Sequence, residues 1–415
     1  MPQKVVLAYS GGLDTSVAIR WLQETYNMEV IALTIDVGNE RDISAVASRA
    51  RQIGAAKALT VDARSEFLTY FVWPALQAGA IYEGAYPLAT ALARPLIAKL
   101  LVDVARSEGA TAVAHGCTGK GNDQVRFDVS IMALAPDLKI IAPVREWSMT
   151  RDVEIKYAQE HGIPVAATSA SPYSVDANLW GRSIECGILE DPWAEPPADV
   201  WDWTADPATA PAEPDEITIT FEQGAPVALN GETLDAVTLV QRLNALAGKH
   251  GVGRIDHVEN RLVGIKSREV YEAPAATTLF AAHRALETLT LSREQVRVKE
   301  VLAAEYARLI YNGLWYSALH GDILAFMRSS QQYVSGDVRL KLFRGVCSVV
   351  GRRSPNSLYQ HALATYEQGD TFDHNSALGF IALWGLPVKT QAQAQLLKDG
   401  KGENILHFEN PLLLG

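Results

Sequence analysis

The sequence predicts an α/β fold: a doubly wound parallel-sheet domain, then an α+β domain, then a C-terminal helix. Two patterns carry this. The first ~165 residues alternate short β runs with helix-period patterns, the signature of βαβ units. Composition then shifts across Asp191–Pro214, a stretch dense in Pro, Ala, Asp, Glu and Trp, and alternating residues follow it. The chain has 415 residues, which at about 100–200 per domain suggests two or three domains. Its 48% hydrophobic and 20% charged content is that of an ordinary folded protein, long enough to bury a core without staples.

In chain order, Lys4–Ser10 reads as a buried strand. Leu13, Val17, Ala18, Trp21 and Leu22 then share one helix face. Val30–Val37 is a second strand, Ile43–Ile53 a helix and Leu59–Asp62 a third strand. A long helix runs from Thr90 to Ser107, and Gly109 ends it. Thr111–His115 and Ile140–Pro143 read as strands, and Arg151–Glu160 as a helix stopped by Gly162. Asp191–Pro214 reads as an irregular connection, with Trp193, Trp201 and Trp203 arguing against disorder. Beyond it, Ile217–Phe221, Arg261–Val270 and Val338–Val349 read as strands, Leu234–Ala247 as a helix, and Gln391–Lys398 as a helix with few core positions.

Several classes are disfavoured. Cys117, Cys186 and Cys347 form no CxxC pattern, so neither a zinc site nor a disulfide framework is expected, and a reducing cytoplasmic setting fits. The apolar run Val5–Tyr9 is too short for a signal peptide, and no stretch approaches the ~20 apolar residues of a membrane span. A formal charge of −11 disfavours nucleic acid as a partner. A small-molecule enzyme is the expectation.

The strand Lys4–Ser10 runs into Ser10, Gly11, Gly12, Leu13, Asp14, Thr15 and Ser16, which open a helix. Paired glycines allow a sharp turn and close approach of backbone to ligand. A helix N-terminus offers unpaired N–H groups and partial positive charge, and Ser10, Thr15 and Ser16 add hydroxyl donors. The loop has no lysine, so it is not the GxxxxGK[ST] phosphate loop. Asp14 is the odd member, because a carboxylate repels a polyphosphate unless it binds magnesium or holds the loop's N–H groups. Read blandly, the segment is a glycine turn with an acid near a helix start. The string SGGLDT after an N-terminal strand resembles the pyrophosphate loop of the N-type ATP pyrophosphatases.

The strand Thr111–His115 leads into a second glycine-rich segment, Gly116 to Gly121, and a helix start at Asn122. Both segments emerge at the carboxyl ends of strands, where open α/β sheets bind ligands. Asn122, Asp123 and Arg126 cluster on the first helical turn. Opposite charges beside small donors suit an amino acid; the bland reading is a capped helix with a solvated arginine.

GCTGKGNDQVRF (Gly116–Phe127) resembles the corresponding segment of the argininosuccinate synthase family. So do Tyr86–Pro95, Gly187–Pro192 and Gly253–Arg261, with similarity running from Val5 to about Gly379. The resemblance implies a ligase forming a carbon–nitrogen bond. The citrulline ureido oxygen attacks the ATP α-phosphate, pyrophosphate leaves, and the aspartate amine displaces AMP. It implies that Ala8, Tyr9, Ser10, Gly11, Gly12, Leu13, Asp14, Thr15 and Ser16 line ATP, with Ile35 and Gly116 near the adenosine. Thr118, Asn122 and Asp123 match aspartate-binding positions. Tyr86, Asn122, Arg126, Ser174, Ser183, Glu259 and Tyr271 match citrulline-binding positions, with Arg126 pairing the citrulline carboxylate. Asp14, Asp123 and Arg126 are the expected catalytic residues. Without the family, Tyr86 reads as a half-buried aromatic, Ser174 and Ser183 as turn residues, Glu259 as a solvated charge and Tyr271 as a sheet aromatic.

By the same resemblance, ATP arrives with Mg2+ as substrate, no protein side chain is assigned as a metal ligand, and no tightly bound organic cofactor is expected. The implied division is an ATP-binding domain at 1–167, a synthetase and multimerisation domain at 168–384, and an oligomerisation tail at 385–415 of a cytoplasmic homotetramer. Ala91 stands where many members carry a citrulline-contacting serine, Ile35 where alanine is common, and the chain after Leu383 matches poorly. No general base stands out, so proximity and magnesium are expected to carry the acceleration. Two other readings remain open: another adenylating ligase with this loop, or a nucleotide-binding module without turnover. Scattered cysteines and negative charge disfavour tRNA sulfur transfer. The absence of an evident Cys–His nucleophile disfavours an amidotransferase. Intact Asp14, Asp123 and Arg126 disfavour a non-catalytic module.

Overall fold

Strand β1 (Lys4–Ala8) is buried on both faces, which is why it reads as a continuous apolar run. Val6 joins one core with Ile31 and Leu33, while Val5 and Leu7 join a second with Val30 and Ala32. The computed structural model describes residues 2–38, 42–147, 149–164 and 172–396. Helix α1 (Leu13–Tyr26), β2 (Glu29–Asp36), α2 (Ile43–Ile53) and β3 (Lys57–Asp62) follow. Asp42 caps α2 by accepting from the Ala45 N–H, and Gly54, at φ 120°, closes it. Short α3 (Arg64–Glu66), a π-helical stretch Phe67–Val72 and α4 (Trp73–Ala78) form a segment that sequence reading left blank.

Next come α5 (Ala89–Glu108), β4 (Ala112–Ala114), α6 (Asp123–Leu134), β5 (Lys139–Ile141), α7 (Pro143–Glu146) and α8 (Arg151–Glu160). The expected strand Ile140–Pro143 thus shifts toward the N-terminus, since Pro143 has no N–H to donate and starts α7 instead. The five strands are parallel in the order β3-β2-β1-β4-β5. Strand order reverses between β1 and β4, so the loops leaving these strands diverge and open a crevice.

Antiparallel structure follows. β6 (Ser174–Asn178) and β7 (Gly181–Glu185) pair as a hairpin. Asp191–Pro214 is irregular apart from a short turn at Ala198–Val200; Trp201 and Trp203 are half-buried, whereas Trp193 is exposed. β8 (Asp215–Glu222), β9 (Ala225–Leu229), β10 (Glu232–Thr233) and α9 (Ala236–Lys249) come next. The expected single strand Arg261–Val270 is instead a turn and the second half of a hairpin, β11 (Arg254–Asn260) with β12 (Lys266–Glu272). Gly264, at φ +89°, reverses the chain there. After α10 (Pro274–Thr290), α11 (Arg293–Tyr311) and α12 (Ala318–Gln331), the expected strand Val338–Val349 also proves to be a hairpin, β13 (Gly336–Phe343) with β14 (Val346–Arg353). Arg344 and Gly345 both take positive φ at its two-residue turn. The two antiparallel sheets run β10-β9-β8-β13-β14 and β11-β12-β7-β6.

All of this lies in one unit, residues 1–358; a second unit starts at Tyr359. The latter holds α13 (His361–Ala364), α14 (His374–Trp384), α15 (Leu386–Gln391) and a π-helical turn, Ala392–Leu396. Leu378, Phe380, Ile381, Leu383 and Trp384 of α14 are exposed. The expected helix Gln391–Lys398 begins within these last elements, and its final two residues lie outside the described ones, as does the expected boundary at 167/168.

Candidate active site

The chain leaves β1 at Ala8, turns through Ser10–Gly12 and enters α1 with Gly12 at the N-cap. No side chain caps that end, so first-turn N–H groups are left without a capping partner. Hydroxyls brace the turn. Ser10 Oγ lies 3.1 Å from Thr15 Oγ1 and accepts the Gly12 N–H at 3.3 Å; Tyr9 Oη lies 3.1 Å from Ser16 Oγ. Gly11 sits at φ +76°, a conformation that favours glycine. Gly116 is needed for a different reason: a Cβ there would lie 2.8 Å from Thr15 Cγ2. The two loops therefore touch.

A cavity of about 250 Å³ opens between them. Ala8, Tyr9, Ser10, Gly12, Leu13, Asp14, Thr15, Ile35 and Gly116 line it; Gly11 and Ser16 do not. Ser16 is buried with its hydroxyl on Tyr9. The carboxyl of Asp14 lies against that of Glu154 on α8. Glu154 is buried; this burial first, and then the Asp14 contact, push its carboxyl up to about 8. Among the described residues, no group of three or more His, Cys, Asp or Glu is placed to hold a metal.

The second cavity, about 170 Å³, is lined by Tyr86, Thr118, Asn122, Asp123, Arg126, Ser174, Ser183, Glu259 and Tyr271. Sheet register explains much of this. Asp176, Ser183 and Tyr271 lie opposite one another on β6, β7 and β12, and Ser174 and Glu185 form the neighbouring row. With a side-chain period of two, Ser174, Asp176, Ser183, Glu185, Glu269 and Tyr271 share one face. This polar face replaces the apolar alternation that marks a strand.

Charge is concentrated at Asp123. Arg94 donates to its Oδ2 through Nε at 2.9 Å and Nη2 at 2.7 Å, and Arg126 Nη1 donates to Oδ1 at 2.5 Å. Burial alone would raise this carboxyl, but the two guanidiniums outweigh it and hold Asp123 at about 2. Arg94 also pairs with Asp176. Arg126 gives its Nε to the Tyr311 carbonyl at 2.9 Å and lies over the Tyr311 ring. Its Nη2 has no partner among the described residues.

Glu259, expected from sequence alone to be solvated, is 1% exposed. It accepts the Tyr271 hydroxyl at 2.6 Å and the Tyr311 hydroxyl at 2.5 Å. Asn122 donates Nδ2 to Tyr311 Oη at 2.8 Å and accepts the Leu262 N–H at 2.9 Å. Tyr86 stacks on Tyr271 with centroids 4.3 Å apart, and its oxygen accepts the Thr90 N–H at 2.9 Å. Glu269 lies 2.9 Å from the Tyr271 oxygen and accepts from Arg261 Nη2 at 3.0 Å; burial, then Glu259 and Glu185, raise it to about 7. Ser183 Oγ is buried and, among the described residues, unpartnered.

Cys117 and Asp176 line both cavities, and Arg94 reaches from the first to Asp123 of the second. The two spaces are contiguous. Such an arrangement suits a polyanion at a helix start and a zwitterion beside it. Sequence reasoning left Arg94, Asp176, Glu185, Arg261, Glu269, Tyr311 and Glu154 without roles; most have partners distant in the chain, and the near partners of Arg261 and Glu269 meet only across the β11–β12 hairpin or along its polar face, so no local pattern marks them.

Two family models match the chain. The argininosuccinate synthase N-terminal HUP domain covers residues 4–164 and the argininosuccinate synthase C-terminal domain residues 173–391. The chain is 61% identical to argininosuccinate synthase of Dehalococcoides mccartyi over 97% of this chain and 99% of that protein. It is 59% identical to argininosuccinate synthase of Oceanobacillus iheyensis (94% of each), and 58% to that of Symbiobacterium thermophilum (95% of this chain, 99% of that one). Among solved structures, NAD+ synthetase of Burkholderia pseudomallei aligns over 40% of this chain and 63% of its own, at 20% identity and a TM-score of 0.28, too low to bear on the fold. With both halves matched and relatives this similar along nearly their whole length, the chain belongs to the argininosuccinate synthase family.

Proposed function

We propose that this chain condenses citrulline with aspartate through a citrullyl-adenylate, giving argininosuccinate, AMP and pyrophosphate for arginine biosynthesis. The observation that carries the reading is the meeting of an anion-binding cavity and an amino-acid cavity at Cys117 and Asp176. ATP lies on the loop Ser10–Ser16 with its adenosine toward Ile35 and Gly116. Citrulline occupies the second cavity, its carboxylate on Arg126 and its ammonium facing Glu259 and the hydroxyls of Ser174 and Ser183. Aspartate sits at Thr118, Asn122 and Asp123. Asp123 Oδ2 is filled by Arg94, so the amine is assigned to Oδ1, which keeps a lone pair beside Arg126.

The ureido oxygen bonds to the α-phosphorus as the bond to the bridging oxygen breaks and pyrophosphate leaves. The aspartate amine then bonds to the ureido carbon, AMP departs with the ureido oxygen, and the amine loses its surplus proton. Holding the weak nucleophile in line is the main contribution of the site. Magnesium is assigned to the ATP phosphates. Ala91, buried on α5 next to Thr90, removes one hydroxyl from the citrulline side.

We read the chain as a 1–167 ATP domain, a 168–384 synthetase domain and a 385–415 tail, assembled as a cytoplasmic homotetramer. The exposed apolar residues of α14 support subunit contacts by the C-terminal unit. No described helix is long and apolar enough to cross a membrane. The test is AMP formation by the purified protein with ATP, citrulline and aspartate. AMP that depends on citrulline supports the reading; AMP or ADP formed without citrulline favours another adenylating ligase, and no turnover favours a binding module.

A further inference from the structure

The polyphosphate loop has no cation of its own. Residues 10–16 contain one charged side chain, Asp14, and a second carboxyl, Glu154, lies against it. An ATP polyphosphate placed there meets N–H groups and hydroxyls but also carboxyl oxygens. Arg94, at the far side of the cavity, is already committed to Asp123 and Asp176. Beyond the magnesium that accompanies ATP, a side-chain cation has to come from another part of the fold.

Helix α2 packs directly on the loop. A Cβ built at Gly11 would meet Val46 Cγ1 at 3.0 Å, and Ile43 and Val46 line the nucleotide cavity. One turn beyond these residues, Arg49 is half-buried and donates from Nη1 to the Gly11 carbonyl at 2.9 Å. Among the described residues, no carboxylate pairs with it. Its position next to the loop is also felt at Tyr9, whose hydroxyl it biases toward ionisation against a larger opposing effect of burial. The single bond to Gly11 uses one of five guanidinium N–H donors. That bond also points the Gly11 carbonyl toward α2.

Resting on the reading that this loop binds ATP, we infer that Arg49 is the cationic ligand of the pyrophosphate end of the nucleotide. From α2 it supplies what the P-loop lysine supplies from within its own loop. Its planar fork suits two phosphate oxygens at once.

Pyrophosphate alone is the probe. In the Arg49→Gln variant, the KM for ATP and the inhibition constant for pyrophosphate should both rise on the order of tenfold to a hundredfold, the worth of a charged hydrogen bond. The KM values for citrulline and aspartate should stay within about twofold, since those groups lie across the crevice. Arg49→Lys should recover part of the pyrophosphate affinity. On the unaltered protein, saturating pyrophosphate without citrulline should shield Arg49 from phenylglyoxal, scored by peptide mass. A folded Gln variant with unchanged pyrophosphate inhibition and ATP KM, or unshielded Arg49 labelling, overturns the inference. Absence of citrulline-dependent AMP formation in the unaltered protein would instead remove the functional reading, while the labelling result would still report on Arg49.

Discussion

Replacing Tyr311 by Phe removes one oxygen from the hydrogen-bond network that supports the amino-acid cavity. That hydroxyl donates to Glu259 at 2.5 Å and accepts Asn122 Nδ2 at 2.8 Å. The ring stays: Phe keeps the stack on Tyr82, where centroids are 3.6 Å apart and planes 6° off parallel. The backbone carbonyl that accepts Arg126 Nε is also untouched. The change therefore isolates two hydrogen bonds. A bond to a charged group contributes about 1.5–3 kcal/mol and a neutral one about 0.5–1.5 kcal/mol. Glu259 keeps its Tyr271 donor at 2.6 Å, so the carboxylate loses orientation without losing all support. If that orientation serves the citrulline ammonium, about 1.5–3 kcal/mol of binding is lost, or roughly tenfold to a hundredfold in citrulline KM. Steady-state AMP formation at varied citrulline, with saturating ATP and aspartate, reads this directly. The KM for ATP should stay within about twofold, because the nucleotide loop is not in this network. A folded variant with unchanged citrulline KM would refute the reasoning.

Three further outcomes follow from other parts of the site. Asp123→Ala strips the carboxylate from Arg94 and Arg126, so it should cost about 3 kcal/mol or more in a denaturation series and raise the aspartate KM far more than the ATP KM. Equal effects on both substrates count against the assignment of Asp123 to aspartate. Glu269, raised by burial and then by Glu259 and Glu185 to about 7, holds a proton in the fold that the unfolded chain has already released. Its contribution to stability is therefore full below about pH 4.5 and declines as pH rises to about 7, while the newly ionised carboxylate should tighten citrulline binding between pH 6 and 8. Glu269→Gln should flatten that part of the citrulline KM profile, and an unchanged profile would exclude the group. Finally, ending the chain after Leu358, which removes α14 together with the tail, should shift it to smaller assemblies in sedimentation, whereas an unchanged mass would make the C-terminal unit peripheral.

The parts of the fold that sequence reading located share one property: their signals are local. The run Val5–Leu7 is apolar because both sheet faces are covered, and the turn Ser10–Gly12 is marked by residues that only a tight turn before a helix requires. The hairpins were harder for a physical reason. β6, β7, β11 and β12 carry Ser174, Asp176, Ser183, Glu185, Glu259 and Glu269 toward a cavity, so their inward faces are polar and no apolar alternation announces them. Arg261–Val270 reads as one strand because the turn at Gly264 lies among residues that also suit a strand. Within the site, the nine amino-acid-binding candidates fall on one cavity, yet only the family likeness had grouped them. Tyr311 was invisible because its partners Asn122 and Glu259 lie 189 and 52 residues away in the chain. Glu259 is buried, not solvated, because two phenol hydroxyls close over it.

The central claim is that the contiguous cavities bring the citrulline ureido oxygen onto the α-phosphorus of ATP. Oxygen labelling of that ureido group tests it most directly. The label should finish in the phosphate of AMP, with none in pyrophosphate, and the nucleotide product should be AMP, not ADP. Label retained in the amino-acid product or released to water, or ADP accumulating with citrulline and aspartate present, would contradict it.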